Sequence, residues 1–332
     1  MVNNKEQKGV AIIGAGEIGT ALKFVLNKKG VEPDLWDVDA KKLKKVISFS
    51  RVIDNAQIIF LCVPSWANRE VAKKICNNIS NNHQKIVITL SKGIEDKSLK
   101  TMEIVLKEEL KNKADYGVLA GPMIAEEIKS GQPATGIIGL SDARWQAKIE
   151  KLFHGANLKI KFSNDLHGLA ICSVLKNIYS LILGMADGYD FGVNVKSYLT
   201  VESYQEMKEV TKILSGKKET VEGLAGLGDL LATGWSNFSL NFTTGRNIIL
   251  KNEKNCRSEG CVSISPISKL LGKNLKKFKI LHSLKRIVLD KENAKKIFSK
   301  IAESFPLLSL YRSDSVLEFR GSVCYEDCSR KL

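Results

Sequence analysis

From Gly9 to about Ser163, short apolar runs alternate with stretches whose apolar residues recur at helical spacing. The runs are GVAIIGAG, PDLWDVD, AQIIFLCVP, KIVITLSKG, YGVLAGP and TGIIGLS, each of strand length. Strands that alternate with helices predict an α/β unit, a doubly wound parallel sheet covered by helices on both faces. From NDLHGLAICSVLKNIYSLILGMADG onward the strand runs cease and helical periods dominate, which predicts an all-helical C-terminal domain. No Pro- or Ser-rich linker and no internal repeat marks the junction, so the boundary is placed near Asn164, with residues 8–163 in the first domain and 164–332 in the second.

Composition agrees with that division. A chain of 332 residues, 44% hydrophobic and 26% charged, has the length for two ordinary domains and the composition of a globular protein. Its opening, MVNNKEQKGVAIIGAG, runs from polar residues straight into a strand pattern, without a long apolar segment or a small-residue cleavage site, and reads as cytoplasmic. The seven cysteines are scattered without metal-ligand spacing, and Cys324 and Cys328 alone stand close enough to suggest a pair; no metal site is expected.

A formal net charge of +15 raises the question of nucleic acid. The lysines, however, fall in short runs such as NKKG, DAKKLKKV and GKNLKKFK, without interleaved aromatics to stack on bases. They read as solvated helix faces, with no nucleic-acid or membrane partner implied. The charge would still raise the local concentration of a small anion.

Two groups of residues carry chemistry. In VAIIGAGEIGTAL, Gly14, Gly16 and Gly19 follow a strand and open a helix at G-x-G-x-x-G spacing, which in that context is the Rossmann-type signature of a dinucleotide site. The glycines serve a tight turn, close approach of backbone to a pyrophosphate, and close packing of helix on strand, with the phosphates at the helix N-terminus. Asp37, eighteen residues after Gly19 at the end of the second strand, is placed to hydrogen-bond a ribose 2′-hydroxyl, which favours NAD over NADP. Asp39 competes with it, and either acid could instead cap the helical pattern that follows. Pro64, in CVPS, shapes a loop beside the expected cofactor.

The second group lies further along. Lys92, in LSKGIE, stands at a strand end on the edge where open parallel sheets bind ligands. Lys176 and Asn177 lie in the otherwise apolar CSVLKNIYSLILGMA, and a buried lysine is costly unless it is paired or functional. Asp229, among apolar residues in GLGDLLA, is the natural partner, and a lysine of tuned pKa can serve as general acid or base. Asp229 and Thr233 are four apart and share a helical face.

Taken in order, GAGEIGTAL, SKG, GPMIAEE, LKN, ADGYDFGVN and GLAGLGDL resemble the NAD(P)-dependent sn-glycerol-3-phosphate dehydrogenases, over most of the chain up to about Gly245. The resemblance implies an oxidoreductase that reversibly transfers hydride between NAD, with NADP admissible, and dihydroxyacetone phosphate, giving sn-glycerol 3-phosphate for glycerophospholipid synthesis, in a chain able to form a homodimer. It makes Lys176 the acid/base at the carbonyl oxygen, with Lys92 and Asp229 beside it. It assigns the small phosphorylated substrate to Asn177, Thr233, Ser239, Asn241 and Gly121. The cofactor falls to Gly14, Gly16, Glu17, Ile18, Gly19, Asp37, Pro64, Lys92, Ala125, Asn241 and Glu259.

The chain also departs from that pattern. Where the family reads Ser-Arg-Asn, it has Ser239, Leu240 and Asn241, and so lacks the arginine that helps hold the substrate phosphate. Arg246 sits about 240° around a helix from Leu240 and is poorly placed to replace it. Glu202 stands at a family arginine and Ala170 at a family glutamate, Met123 and Ile124 vary the segment Gly121 to Ala125, and the loop after LWDVD is short. Three readings compete: a divergent working enzyme, a paralogous reductase for another small carbonyl compound, and a non-catalytic dinucleotide binder. Retention of Lys92, Lys176, Asn177, Asp229, Thr233 and Asn241 favours the first.

Overall fold

A computed structural model of the chain describes residues 9–80, 84–253 and 256–303; Cys324 and Cys328 lie outside them. Seven strands form one sheet: β1 (Gly9–Ile13), β2 (Asp34–Trp36), β3 (Ala56–Leu61), β4 (Ile86–Thr89), β5 (Asp115–Ala120), β6 (Ala134–Leu140) and β7 (Leu158–Ser163). Their order is β2-β1-β3-β4-β5-β6-β7. The first five pair in parallel, as the alternating pattern predicts, and their central members are apolar on both faces because helices cover both.

Two features differ from the sequence reading. β6 runs antiparallel to β5, and β7 is parallel to β6, so the last two strands reverse direction. The connection after β5 carries only the five-residue helix Ala125–Lys129, and the chain returns beside β5 instead of crossing over. β7, LKIKFS, is absent from the predicted strands because Lys159 and Lys161 interrupt its apolar residues. As an edge strand it exposes those lysines and turns Leu158, Ile160 and Phe162 inward.

Beyond Ser163 the described residues are helical. The core of this part is the helix Leu166–Gly188, buried without interruption from Gly168 to Ala186. Helix Leu240–Leu250 packs on it at backbone contact: a Cβ at Gly245 would lie 2.0 Å from the Leu181 carbonyl oxygen, and one at Gly184 would lie 2.0 Å from that of Phe242. Among the described residues, Leu166–Gly188 is the helix long and apolar enough to cross a membrane, and it is spent here as a protein core.

The cysteine pattern needs correction too. Cys256 and Cys261, five residues apart, are joined as a disulfide at the start of helix Glu259–Leu271, so Cys324 and Cys328 are not alone in standing close enough to pair.

Candidate active site

A cleft of about 1270 Å3 opens between the carboxyl ends of the parallel strands and the helical part. Its outer half is built by the glycine turn. Gly14 adopts φ +109°, and a Cβ there would lie 2.4 Å from the Cys62 carbonyl oxygen; at Gly19 a Cβ would lie 2.0 Å from the carbonyl oxygen of Gly14. Gly16, by contrast, has open space where a Cβ would stand, at the uncapped N-terminus of helix Glu17–Lys28. That is a fit for an anionic diphosphate: free approach to backbone at the positive end of a twelve-residue helix.

The structure separates the two competing acids. Asp39 caps the short turn Ala40–Lys42 by accepting from the Lys41 N–H at 3.1 Å. Asp37 faces the cleft, with Oδ2 accepting from the Ala15 N–H at 2.7 Å and Oδ1 from the Asp39 N–H at 2.9 Å. It is thus tied to the glycine turn, with Lys42 Nζ 3.9 Å away.

Other expected cofactor residues fall on the same walls. Ile18 and Pro64 line the cleft, Glu17 does so while pairing with Lys129, and Ala125 opens the short helix after β5. Gly121 does not line it. With φ +111° and a Cβ position 3.0 Å from the Thr135 carbonyl oxygen, it turns the chain after β5 and shapes the wall from behind.

At the inner end two lysines share one carboxylate. Lys176, only 5% exposed in the middle of the long helix, has Nζ 3.0 Å from Asp229 Oδ1 and donates to Thr233 Oγ1 at 2.7 Å. Lys92 Nζ donates to Asp229 Oδ2 at 2.9 Å, and the Thr233 hydroxyl donates to Asp229 Oδ1 at 3.0 Å. Lys92 is presented by a pinned loop, in which Ser91 Oγ donates to the Val63 carbonyl at 2.6 Å. The glycine-rich GLAGLG ahead of Asp229 forms a π-helical turn, Leu224–Gly228, and Gly226 lets it pass close to the Val221 carbonyl. Helix Asp229–Gly234 then sets Asp229 and Thr233 one turn apart on a single face.

Electrostatics tunes this cluster. Burial pushes the Lys176 ammonium down to about 7, against the support of Asp229, and neighbouring Lys92 lowers it further. Burial by itself would raise the Asp229 carboxyl, but Lys176 and Lys92 hold it below the ordinary carboxylate value. The site therefore keeps a fixed carboxylate between two cations, one of which exchanges its proton near neutrality.

Asn177 follows Lys176, and its Oδ1 accepts from Asn241 Nδ2 at 2.9 Å, while Asn241 Oδ1 accepts from the Gly260 N–H at 2.8 Å. This chain fixes both amides in the inner wall. Ser239 caps helix Leu240–Leu250, accepting from the Phe242 N–H at 3.2 Å, and borders the cleft. Leu240 is 68% exposed and lines both the cleft and an inner chamber of about 250 Å3. Arg246 points elsewhere, its Nε 3.4 Å from Asp187 Oδ2.

Sequence reasoning missed the partner of Glu259. Its carboxylate accepts from both the N–H and the hydroxyl of Ser65, a contact across 194 residues that no local pattern could signal. It also missed Trp66 and Phe238, large exposed side chains on the walls of the cleft.

Comparison with known proteins agrees with this architecture. Residues 40–146 match the N-terminal model of NAD-dependent glycerol-3-phosphate dehydrogenase, and residues 165–299 match its C-terminal model. Curated relatives named glycerol-3-phosphate dehydrogenase (NAD(P)+) include that of Clostridium acetobutylicum, 32% identical over 78% of this chain and 83% of its own, and that of Phytoplasma mali, 32% identical over 87% and 93%. Among solved structures, glycerol-3-phosphate dehydrogenase from Coxiella burnetii superposes with a TM-score of 0.81 at 24% identity, covering 89% of this chain and 99% of that one. D-mandelate dehydrogenase with NADH shares the fold more distantly, at a TM-score of 0.55 and 18% identity over 86% of this chain and 99% of that one. With both halves matched and the glycine turn and lysine cluster facing one cleft, the chain belongs to the NAD-dependent glycerol-3-phosphate dehydrogenase family.

Proposed function

We infer that the protein reversibly reduces dihydroxyacetone phosphate to sn-glycerol 3-phosphate with NAD(P)H. The observation that carries this is the Lys176–Thr233–Asp229–Lys92 cluster at the inner end of a dinucleotide cleft. A bound nicotinamide supplies or accepts the hydride. The chain's own residues manage the proton and the charge. In reduction, Lys176 Nζ gives a proton to the substrate oxygen as the carbonyl carbon becomes tetrahedral; in oxidation the neutral amine takes it back. A group that titrates near 7 can do both at physiological pH. Asp229 stays ionised and keeps both lysines aimed inward, and Lys92 adds positive charge where alkoxide character develops.

Asn177, Asn241 and the neighbouring backbone hold the phosphate end, where Leu240 supplies no charge. The product serves glycerophospholipid synthesis in the cytoplasm. NAD is the favoured cofactor, since a 2′-phosphate would approach Asp37. The decisive assay follows NADH oxidation with dihydroxyacetone phosphate beside unphosphorylated dihydroxyacetone. Turnover of the phosphorylated ketone is expected, and turnover of the unphosphorylated ketone alone would reject this substrate.

A further inference from the structure

Glu259 is held twice by one residue of the sheet. Ser65, 6% exposed at the end of the β3 loop, offers its N–H to Oε1 at 3.0 Å and its hydroxyl to Oε2 at 2.7 Å. The pair is wedged against the loop that carries Lys92. A Cβ at Gly93 would lie 2.5 Å from Ser65 Oγ and 3.1 Å from Glu259 Oε2. Glu259 also lines the inner chamber with Ile18, Val63, Lys92 and Asn177. A carboxylate is thus fixed in the wall of the space where the glycine turn and the lysine cluster converge.

The charges there are unbalanced without it. Lys92 and Lys176 face a single neighbouring carboxylate, Asp229, which leaves an excess of positive charge at the inner end whenever Lys176 is protonated. An oxidised nicotinamide ring carries a positive charge and a reduced ring is neutral. The cationic surplus disfavours the first and is indifferent to the second, and a fixed carboxylate reverses that bias.

We propose that Ser65 is a positioning residue that holds the Glu259 carboxylate in the chamber wall, where its charge favours binding of the oxidised over the reduced dinucleotide. The proposal rests on the dehydrogenase function inferred above. It separates an electrostatic role from a merely structural one, because loss of shape would weaken both redox forms alike.

The test is equilibrium binding of NAD+ and of NADH, titrated separately at low salt and near-neutral pH, where Lys176 still holds part of its proton. The proteins are the full chain, Glu259→Gln, Ser65→Ala and the double variant. Glu259→Gln keeps the shape and removes the charge, and the Kd for NAD+ should rise about tenfold while that for NADH stays nearly constant. Ser65→Ala should shift the same ratio in the same direction by less, and the double variant should match Glu259→Gln, since the serine acts through the carboxylate. Should Glu259→Gln fail to fold, the Ser65→Ala ratio decides alone. Equal weakening of both forms, an unchanged ratio, or additive effects in the double variant would overturn the proposal. A parent chain that binds neither dinucleotide would overturn the inferred function with it.

Discussion

Replacing Leu240 by arginine tests how this chain holds a phosphate. Leu240 is the first residue of helix Leu240–Leu250 and is 68% exposed, so the substitution removes little buried apolar surface. Leucine and arginine have similar helix propensities. A cation at a helix N-terminus costs roughly 0.3 to 1 kcal/mol. Stability should therefore change by no more than about 1 kcal/mol and the melting temperature by a few degrees. Against this stands the gain at the substrate: a charge-assisted hydrogen bond is worth about 1.5 to 3 kcal/mol, or roughly ten- to a hundredfold in binding.

The position suits the purpose, because Leu240 borders the same chamber as Asn177, Asn241 and Lys92. KM for dihydroxyacetone phosphate, measured at saturating NADH, should fall by about that factor. KM for unphosphorylated dihydroxyacetone, which offers the guanidinium no anion, should stay where it is. Glu259 lines the chamber as well, and Ser65 takes only one acceptor site on each of its oxygens, so the substitution is also read in the Glu259→Gln background, where no carboxylate competes for the guanidinium. A variant that melts normally and shows an unchanged KM for the phosphorylated ketone would mean that the phosphate rests elsewhere, and the reasoning from Leu240 would fail.

Other outcomes follow from the inner cluster. Lys176→Ala should lower kcat by about a hundred- to ten-thousandfold with NADH affinity retained in a fluorescence titration; lost affinity with normal turnover at saturation would reassign the lysine. In the proposed mechanism reduction uses the protonated amine, so its rate should decline as pH rises through about 7, while the oxidation rate rises through the same range. A pH-independent kcat in both directions would remove Lys176 from the proton path. Asp229→Asn takes away a charge that supports the ammonium, so kcat should drop and the reductive limb should move to lower pH; a shift upward contradicts the electrostatics. Comparison of kcat/KM should favour NADH over NADPH, and Lys42→Ala should widen the gap by removing the cation beside Asp37. An NADPH preference in the parent chain would refute that assignment.

Much of this site is legible in the sequence because its signals are local. The glycine spacing around Gly14 reports steric demands made within a few residues, and Lys176 stands out because a charge interrupts a long apolar run. Choosing between Asp37 and Asp39 required coordinates, since both follow the strand and only backbone geometry decides which one caps. The reversal of β6 and β7 is set by which strands find each other, and β7 hides because an edge strand tolerates lysines that the pattern reads as breaks. The Ser65–Glu259 contact is out of reach for a related reason: neither residue has a distinctive neighbourhood, and the chain that joins them spans most of both halves.

The long apolar helix has a consequence for how the protein is made. When residues 166–188 leave the ribosome, the helices Leu240–Leu250, Glu259–Leu271 and Lys279–Val288 that pack against them have yet to be synthesised. For that interval the segment, with a mean hydropathy of 1.7 over its best window, matches a nascent membrane span in length and greasiness. Lys176 sits one residue from its midpoint. On the scale by which the insertion machinery sorts such segments, a lysine at the centre costs about 2.5 to 3.5 kcal/mol. The lysine therefore counts against insertion while the helix is still uncovered, and a chain terminated near Leu250 would leave that helix without the cover of Glu259–Leu271 and Lys279–Val288.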